Sequence, residues 1–370
     1  MPIQTAADSI SNSAGSPYGF KNRIINGAMV IDQRNAGASL TISTAGYQYP
    51  VDRFGVYGQT SDGVFTAQQS SIVPNNNFTK SLKIQTTTID SSIGATQLYM
   101  ITHRIEGYNT ADLGWGNSTA STVTLSFWVR SSLTGTFGGA IINENQNRGY
   151  PFSYTISAAD TWQQVSIVVP GDTTGTWATT NGRGIEINWD LGSGSTYKGT
   201  AGSWSASPYW GVTGGTNVIG TLNATFYITG VQFEKGSQAT AFDYRPFGYE
   251  LQLCQRYFYK TFEPGTKPVD NSTPTVYGTV AAYTTSGCYL GTWFKYPVTM
   301  RTPPSTVALY GGNGSTGIFD VYNGVWAPFT TVGVNTSSSE GIAFYASKTS
   351  AFTQWGSYLF AGNFTASSEL

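Results

Sequence analysis

The sequence predicts an all-β protein, in which a jelly-roll or β-sandwich domain is followed by a smaller C-terminal β-sandwich domain. Many short segments alternate apolar and polar residues with a period of two, and turns rich in Gly, Ser and Asn separate them. Patterns typical of long amphipathic helices are missing from the sequence. Because alternation buries one face of each strand, a series of such strands favours sandwiches or jelly rolls.

The alternation is clearest in the first two thirds of the chain. Each segment there places β-branched or aromatic residues on alternate faces, as half-buried antiparallel strands do. We assign residues 24–247 to this jelly-roll domain. The segments are 81–86, 123–129, 164–169, 184–189 and 225–233.

The pattern changes at residues 248–260, where Leu251, Cys254 and Phe258 recur at spacings of three and four. This spacing predicts a short helix within a linker. A second set of strand candidates follows and predicts a C-terminal β-sandwich domain over residues 261–370. These candidates are 276–285, 287–294, 305–310, 341–346 and 358–364.

Residues 1–23 carry few large apolar side chains and cannot build a core, so they predict an N-terminal arm. The arm has neither the basic start nor the apolar stretch of a signal peptide. No later run reaches the roughly 18 apolar residues of a membrane span. We therefore expect a protein that folds in a cytoplasm and does not insert into a membrane.

The composition argues against several classes of protein. Charged residues make up 11% of the chain and the formal net charge is -1. Such a surface offers no basic patch for a phosphate backbone, so nucleic acid is not an expected partner. Cys254 and Cys288 are the only cysteines. Two cysteines do not make a disulfide framework, and we expect both thiols to be reduced and buried.

The residues of most catalytic sites are also missing. The single histidine, His103, lies in a predicted strand, where we expect a surface or satisfied polar position. Because nucleophile-elbow, phosphate-loop and zinc motifs are absent, we expect no enzyme, no cofactor and no metal. The alternative is a capsular polysaccharide depolymerase, which needs only two carboxylates about 5 to 10 Å apart. Its candidates are Asp160, Glu186, Asp190 and Glu234.

Residues 197–210 (YKGTAGSWSASPYW) concentrate aromatic side chains in a Gly- and Ser-rich loop. Aromatic faces stack on the C–H faces of sugar rings, and adjacent polar groups fix the ring hydroxyls. In a competing interpretation, the rings pack over the end of the sandwich or against a sister subunit. Trp115 and Trp177 carry the same ambiguity. The candidate glycan-binding residues are Tyr197, Trp204, Tyr209, Trp210, Asp190 and Lys198.

A series of landmarks follows along the chain: 22–34 (NRIINGAMVIDQR), 49–54 (YPVDRF), 105–107 (IEG), 111–115 (ADLGW), 122–131 (TVTLSFWVRS), 150–162 (YPFSYTISAADTW), 225–236 (TFYITGVQFEKG) and 242–257 (FDYRPFGYELQLCQRY). In this order they resemble a domain widespread in bacteriophage virion and tail-fibre proteins. The layout is also similar to jelly-roll carbohydrate-binding modules, a likeness of fold that favours glycan binding.

The resemblance implies a virion structural protein, a tail fibre or similar appendage, assembled in the host cytoplasm. It implies that residues 1–23 attach to other virion proteins and that the chain forms a homotrimer. A distal face would then serve host attachment as a receptor-binding surface for host glycan, with several copies compensating for weak single sites. The alternatives are a capsid decoration or tail connector protein without a host ligand, and the depolymerase.

Overall fold

The computed structural model describes residues 21–59, 62–312, 316–349 and 352–370. The chain divides into two compact units. Unit 1 contains the described residues up to Ile31, together with Gly37–Pro246 and Leu370, and unit 2 contains Asp32–Ala36 and Phe247–Glu369. Residues 1–20 of the predicted arm lie outside the described residues.

Unit 1 is built almost entirely from antiparallel strands, and each segment predicted as a strand in this region forms one. In chain order the strands are β1 (Leu40–Ile42), β2 (Tyr47–Val51), β3 (Phe54–Gly58), β4 (Val64–Ser70), β5 (Ser81–Thr88), β6 (Leu98–Glu106), β7 (Val123–Ser131), β8 (Gly135–Ile142), β9 (Gly149–Ile156), β10 (Gln163–Val169), β11 (Arg183–Ser193), β12 (Lys198–Gly199), β13 (Gly211–Val212) and β14 (Thr225–Lys235). Short 3-10 helices lie at Gly107–Asn109, Ala111–Leu113 and Ser195–Tyr197.

Two six-stranded sheets form the sandwich of unit 1. The first sheet has the strand order β1-β4-β5-β14-β7-β10, and the second has the order β2-β3-β6-β11-β8-β9. Their facing side chains fill one core, which includes Phe65, Phe127 and Phe226 from the first sheet and Phe137 and Trp189 from the second. The packing of two antiparallel sheets confirms the predicted sandwich class.

His103 lies in β6, but its side chain faces this core. The imidazole is 1% exposed, and its ring centroid lies 4.7 Å from that of Phe54. The alternation of β6 explains the position, because Ile101 and Ile105 on either side also belong to the core. Burial holds the pKa of His103 well below its usual value, so the ring is neutral at pH 7. A surface position for His103 is therefore wrong.

Asn22 and Arg23, which we assigned to the arm, are buried in unit 1. The two terminal nitrogens of Arg23 donate to the two carboxylate oxygens of Asp112 at 2.7 and 2.8 Å. The side-chain amide of Asn22 donates to the carbonyl of Val231 at 3.1 Å and accepts from the N–H of Phe233 at 3.0 Å. The bonds of Asn22 thus fix this segment to β14.

Unit 2 begins its main segment with a helix, α1 (Phe247–Gln255), which covers the first part of the segment 248–260 predicted to contain one, whereas Phe258 lies in a strand. Strands follow wherever the sequence predicts them, with further short strands between. They are β15 (Phe258–Lys260), β16 (Val276–Ala282), β17 (Gly287–Lys295), β18 (Thr306–Tyr310), β19 (Asp320–Tyr322), β20 (Trp326–Pro328), β21 (Thr331–Ser337), β22 (Gly341–Ser347) and β23 (Ser357–Ser367).

The long strand β23 organises unit 2. Its first half pairs with β16 and β19, and its second half pairs with β15 and β18. A separate core lies against it and includes Phe319, Phe344, Phe360 and Cys288. The result is the sandwich-like second domain that the sequence predicts. Both cysteines are buried, as expected.

Candidate functional site

Part of the outer face of the second sheet of unit 1 is apolar. Its inner face belongs to the core, but Leu98, Met100, Ala140 and Ile142 point to the opposite face and are buried there in a cluster with Trp210. An outer face that met water would alternate to polar residues. The segment that contains β12 and β13 therefore covers part of this outer face, and a groove remains beside it.

This groove has aromatic sides, an apolar floor and an amide rim, and its volume is about 250 Å³. Tyr47 and Tyr57 lie on the sheet at one side, with ring centroids 5.1 Å apart. Tyr197 and Trp210 come from the covering segment, with centroids 4.8 Å apart and planes at 80°. The floor is Leu98 and Met100, and the rim is Gln59 and Gln146. We call this feature the aromatic groove.

A local fold holds the covering segment in place. The 3-10 helix at Ser195–Tyr197 leads into β12, which pairs in parallel with β13. The N–H of Trp210 donates to the carbonyl of Tyr197 at 2.9 Å. Gly211 lies so close to the sheet that a Cβ there would stand 2.0 Å from Oδ2 of Asp190. Only glycine permits this approach, which seats Trp210 over the apolar outer face.

Asp190 supports the segment from beneath. Its carboxylate is buried and accepts hydrogen bonds from the N–H of Gly192 at 2.8 Å and the hydroxyl of Ser193 at 2.9 Å. Burial raises the pKa of Asp190 to about 6, although the Lys198 ammonium acts in the opposite direction. The ammonium of Lys198 itself donates to Oδ1 of Asn217 at 3.0 Å. Both predicted glycan contacts thus have partners within the protein.

Trp204 lies apart from the groove, in a cluster of rings. Its centroid is 5.3 Å from that of Trp115, 5.5 Å from that of Trp177 and 5.2 Å from that of Tyr150. Its indole N–H donates to the carbonyl of Pro170 at 2.8 Å. This placement matches the interpretation in which the rings pack over the end of the sandwich.

The six candidate residues therefore separate in space. Tyr197 and Trp210 line the groove, whereas Asp190 and Lys198 hold the segment and Trp204 joins the ring cluster. Tyr209 packs on the backbone at Gly199, where an added Cβ would stand 2.3 Å from the tyrosine ring. Two of the six residues predicted from the sequence therefore line the groove.

Charged groups border the groove beside Tyr47. The Arg104 guanidinium lies 4.0 Å from the centroid of the Tyr47 ring and pairs with the buried Glu186 at 2.9 Å. Arg183 binds the same carboxylate oxygen. Burial, assisted by the Glu186 charge, raises the pKa of Tyr47 to about 12. The Tyr47 hydroxyl therefore keeps its proton at physiological pH and can donate a hydrogen bond.

Gln146 occupies the tip of the turn between β8 and β9 with φ at +54°. This left-handed conformation is uncommon for glutamine. The Asn143 side chain stabilises the turn, because its carbonyl oxygen accepts from the N–H groups of Asn147 and Arg148, both at 3.1 Å. The turn thereby places an amide at the groove, where it can donate to and accept from a ligand.

Sequence reasoning missed six of the lining residues: Tyr47, Tyr57, Gln59, Leu98, Met100 and Gln146. One signal was present: residues 98–101 (LYMI) form an unbroken apolar run, which is typical of a strand buried on both faces. The two tyrosines share a face because they are paired across β2 and β3, and that register is not visible in the sequence.

The four carboxylates considered for a depolymerase do not converge. Glu186 and Asp190 both point outward from β11, and four residues of strand place them about 13 Å apart. That exceeds the roughly 5 to 10 Å of a hydrolytic pair. Glu234 lies in β14 of the other sheet, and Asp160 lies between β9 and β10.

Within residues 21–59, 62–312, 316–349 and 352–370, no group of three or more His, Cys, Asp or Glu side chains is arranged to hold a metal ion. Across the same part of the chain, no helix has the length and apolar character needed to cross a membrane.

No family model and no curated protein matches this chain. Among solved structures, it is similar to the enzymatically active domain of tailspike protein 4 of bacteriophage CBA120, with a TM-score of 0.31 and 14% identity over 60% of this chain and 22% of that chain. It is also similar to the family 11 carbohydrate-binding module of Clostridium thermocellum, in complex with a β-1,3-1,4-mixed-linked tetrasaccharide, with a TM-score of 0.27 and 12% identity over 54% of this chain and 100% of that chain. At these TM-scores, neither likeness carries an argument about the ligand of this chain.

Proposed function

We propose that this chain is a bacteriophage virion protein, a tail fibre or similar appendage, and that unit 1 binds a host surface glycan in the aromatic groove. The observation that carries the glycan proposal is the groove itself, in which two pairs of aromatic rings flank Leu98 and Met100. The sequence landmarks carry the proposal of a virion protein.

The groove has the chemistry that sugar recognition requires. Tyrosine and tryptophan rings offer faces for the C–H groups of a pyranose, and Gln59, Gln146 and the Tyr47 hydroxyl offer uncharged donors and acceptors. A concave, mostly apolar site with a few polar groups is the usual form of a small-molecule site. A volume of about 250 Å³ suits one or two sugar rings.

Reversible binding, with no bond broken, is the chemistry proposed. No two of the carboxylates considered for hydrolysis lie in the groove lining. Attachment through residues 1–23 and assembly as a homotrimer belong to the same proposal. In a trimer, three grooves would act together on one polymeric ligand, so that modest single-site affinity would suffice.

The test measures binding of the full chain to intact host cells and to extracted host surface polysaccharide, while released reducing ends are monitored. The variant is Tyr57→Ala with Tyr197→Ala, and the control is Tyr108→Ala, which removes a highly exposed tyrosine outside the groove. We expect the double variant to bind more weakly than the wild type and the control to bind as the wild type does, with no sugar released.

Absence of wild-type binding would favour the alternative of a capsid decoration or tail connector protein without a host ligand. Release of reducing ends would instead favour the depolymerase. Equal binding by the wild type and the double variant would place any glycan site elsewhere on the chain.

A further inference from the structure

Trp355 of unit 2 combines an exposed indole ring with a left-handed backbone. Its side chain is 74% exposed and its φ is +67°. A left-handed backbone is a genuine outlier for a bulky residue and costs free energy. Exposure of an indole ring forgoes the free energy of burying it. Two unfavourable features at one residue point to a function that requires both.

The turn around Trp355 is firmly held. The N–H of Trp355 donates to the carbonyl of Ala282 at 2.6 Å, and the N–H of Gly356 donates to the carbonyl of Thr353 at 2.8 Å. The N–H of Thr353 also donates to the hydroxyl of Tyr358 at 2.7 Å. The indole is therefore presented to solvent from a backbone fixed by hydrogen bonds.

Three loops meet at this end of unit 2. β23 pairs with β16 through Ser357 and Ala281, and with β19 through Leu359 and Tyr322. This register brings the turn after β16, the turn after β19 and the turn before β23 to the same end of the sheet. Two strand spacings separate the outer turns, which corresponds to about 10 Å.

Each loop exposes an apolar side chain at this end of the sheet. Tyr283 in the turn after β16 is 38% exposed, and Val325 in the turn after β19 is 68% exposed. The amide of Gln354 donates to the carbonyl of Tyr283 at 3.2 Å, which ties two of the loops together. We call Tyr283, Val325, Gln354 and Trp355 the Trp355 platform.

The platform carries no formal charge. Residues 283–287 (YTTSG), 323–325 (NGV) and 352–357 (FTQWGS) contain no Asp, Glu, Lys or Arg. The ammonium of Lys348, near the end of β22, already donates to the carbonyl of Pro328 at 2.7 Å. An anionic lipid surface would call for Lys or Arg beside the indole. An uncharged sugar calls instead for an aromatic face with hydroxyl and amide groups around it, and these three loops supply that set.

We propose that the Trp355 platform is a second carbohydrate-binding site, which takes an uncharged glycan by stacking a pyranose on the Trp355 indole. The site lies wholly in unit 2 and shares no residue with the aromatic groove of unit 1. Each chain then carries two independent sites. Two weak sites on one polymer give an avidity well above that of either site.

The test uses the full chain on an array of neutral oligosaccharides and on extracted host polysaccharide. Trp355→Gly removes the ring and also relieves the positive φ. We expect this variant to melt no lower than the wild type, yet to bind at least about tenfold more weakly to the glycans of this site. Trp355→Tyr keeps an aromatic face and is expected to retain most of the binding.

Tyr197→Ala separates the two sites. Glycans that Trp355→Gly loses and Tyr197→Ala keeps would assign the platform, whether or not the groove binds sugar. Equal binding of Trp355→Gly and wild type to every glycan, or no glycan binding by the wild type, would overturn the proposal. Trp355-dependent binding to phosphatidylglycerol vesicles alone would overturn it in favour of a lipid surface.

Discussion

The N–H of Trp210 donates to the carbonyl of Tyr197 at 2.9 Å, and the two rings lie 4.8 Å apart. Thirteen positions of sequence separate these residues, and one backbone hydrogen bond makes them a single wall of the groove. A loop that sequence alone describes as Gly- and Ser-rich is thus ordered at the two positions where its aromatic side chains line the groove.

The first prediction concerns Tyr197. Tyr197→Ala is expected to weaken glycan binding by about 1 kcal/mol, or roughly fivefold, because one stacking face is lost. Tyr197→Phe keeps the face and is expected to bind nearly as the wild type. Isothermal titration with the polysaccharide fragment bound by the wild type measures both. Equal affinities for the alanine variant and the wild type would remove Tyr197 from the site.

The second prediction concerns Gly211. Gly211→Ala places a Cβ about 2.0 Å from Oδ2 of Asp190, so the covering segment must lift from the sheet. We expect the free energy of unfolding to fall by about 1 to 3 kcal/mol and glycan binding to weaken with it. Urea denaturation measures the first effect and titration the second. Gly248→Ala is the control, since an added Cβ there meets nothing within 4 Å.

The third prediction concerns pH. A carboxyl group of Asp titrates near 3.9 in an unfolded chain, whereas burial raises the pKa of Asp190 to about 6. The folded state therefore holds this proton more tightly. The stability that Asp190 contributes is fully present below about pH 4 and is lost as pH rises through about 6, with a total of up to about 3 kcal/mol.

Asp190→Asn provides the comparison for this effect. The amide keeps an acceptor for the N–H of Gly192 and does not titrate. Between pH 4 and pH 8, the wild type is expected to lose stability relative to Asp190→Asn in urea denaturation. Two parallel curves over this range would show that the Asp190 carboxyl does not titrate as its burial requires.

The fourth prediction concerns Asp172, whose buried carboxylate receives two nitrogens of Arg148 at 2.7 to 3.0 Å and the indole N–H of Trp177 at 3.0 Å. Asp172→Ala leaves these donors without their acceptor, and we expect a loss of about 3 kcal/mol in the free energy of unfolding. Asp160→Asn is the control, because that side chain is 56% exposed in its ion pair with Arg130 and asparagine tolerates the positive φ of this position. Its expected cost is below about 1 kcal/mol, and similar costs for both variants would contradict the assignment.

The long strands could be predicted from the sequence because alternation over seven or more residues is a clear pattern. β7 and β14 show it, with Leu125, Phe127 and Phe233 directed into the core. The short strands could not be predicted this way. β12 and β13 have two residues each, and pairing between distant segments rather than any local pattern creates them.

The candidate site was predicted in part. Tyr197 and Trp210 could be predicted because the sequence concentrates aromatic residues in a Gly- and Ser-rich loop. Asp190 was expected to contact a ligand, yet it lies under Gly211, since the close approach of the two backbones depends on tertiary packing. Trp204 was predicted as a glycan contact together with Trp210, but its indole packs against Trp115 and Trp177 instead.

The burial of Asn22 and Arg23 has a mechanical consequence. A pull on the chain from its N-terminal side would reach unit 1 at these two residues. The load would then pass through the paired hydrogen bonds from Arg23 to Asp112 and through the bonds from Asn22 to the backbone of β14. Several of these bonds would have to break together before the sandwich began to open. The hydrogen bonds of Asn22 and Arg23 would therefore bear the tension before it reached the groove.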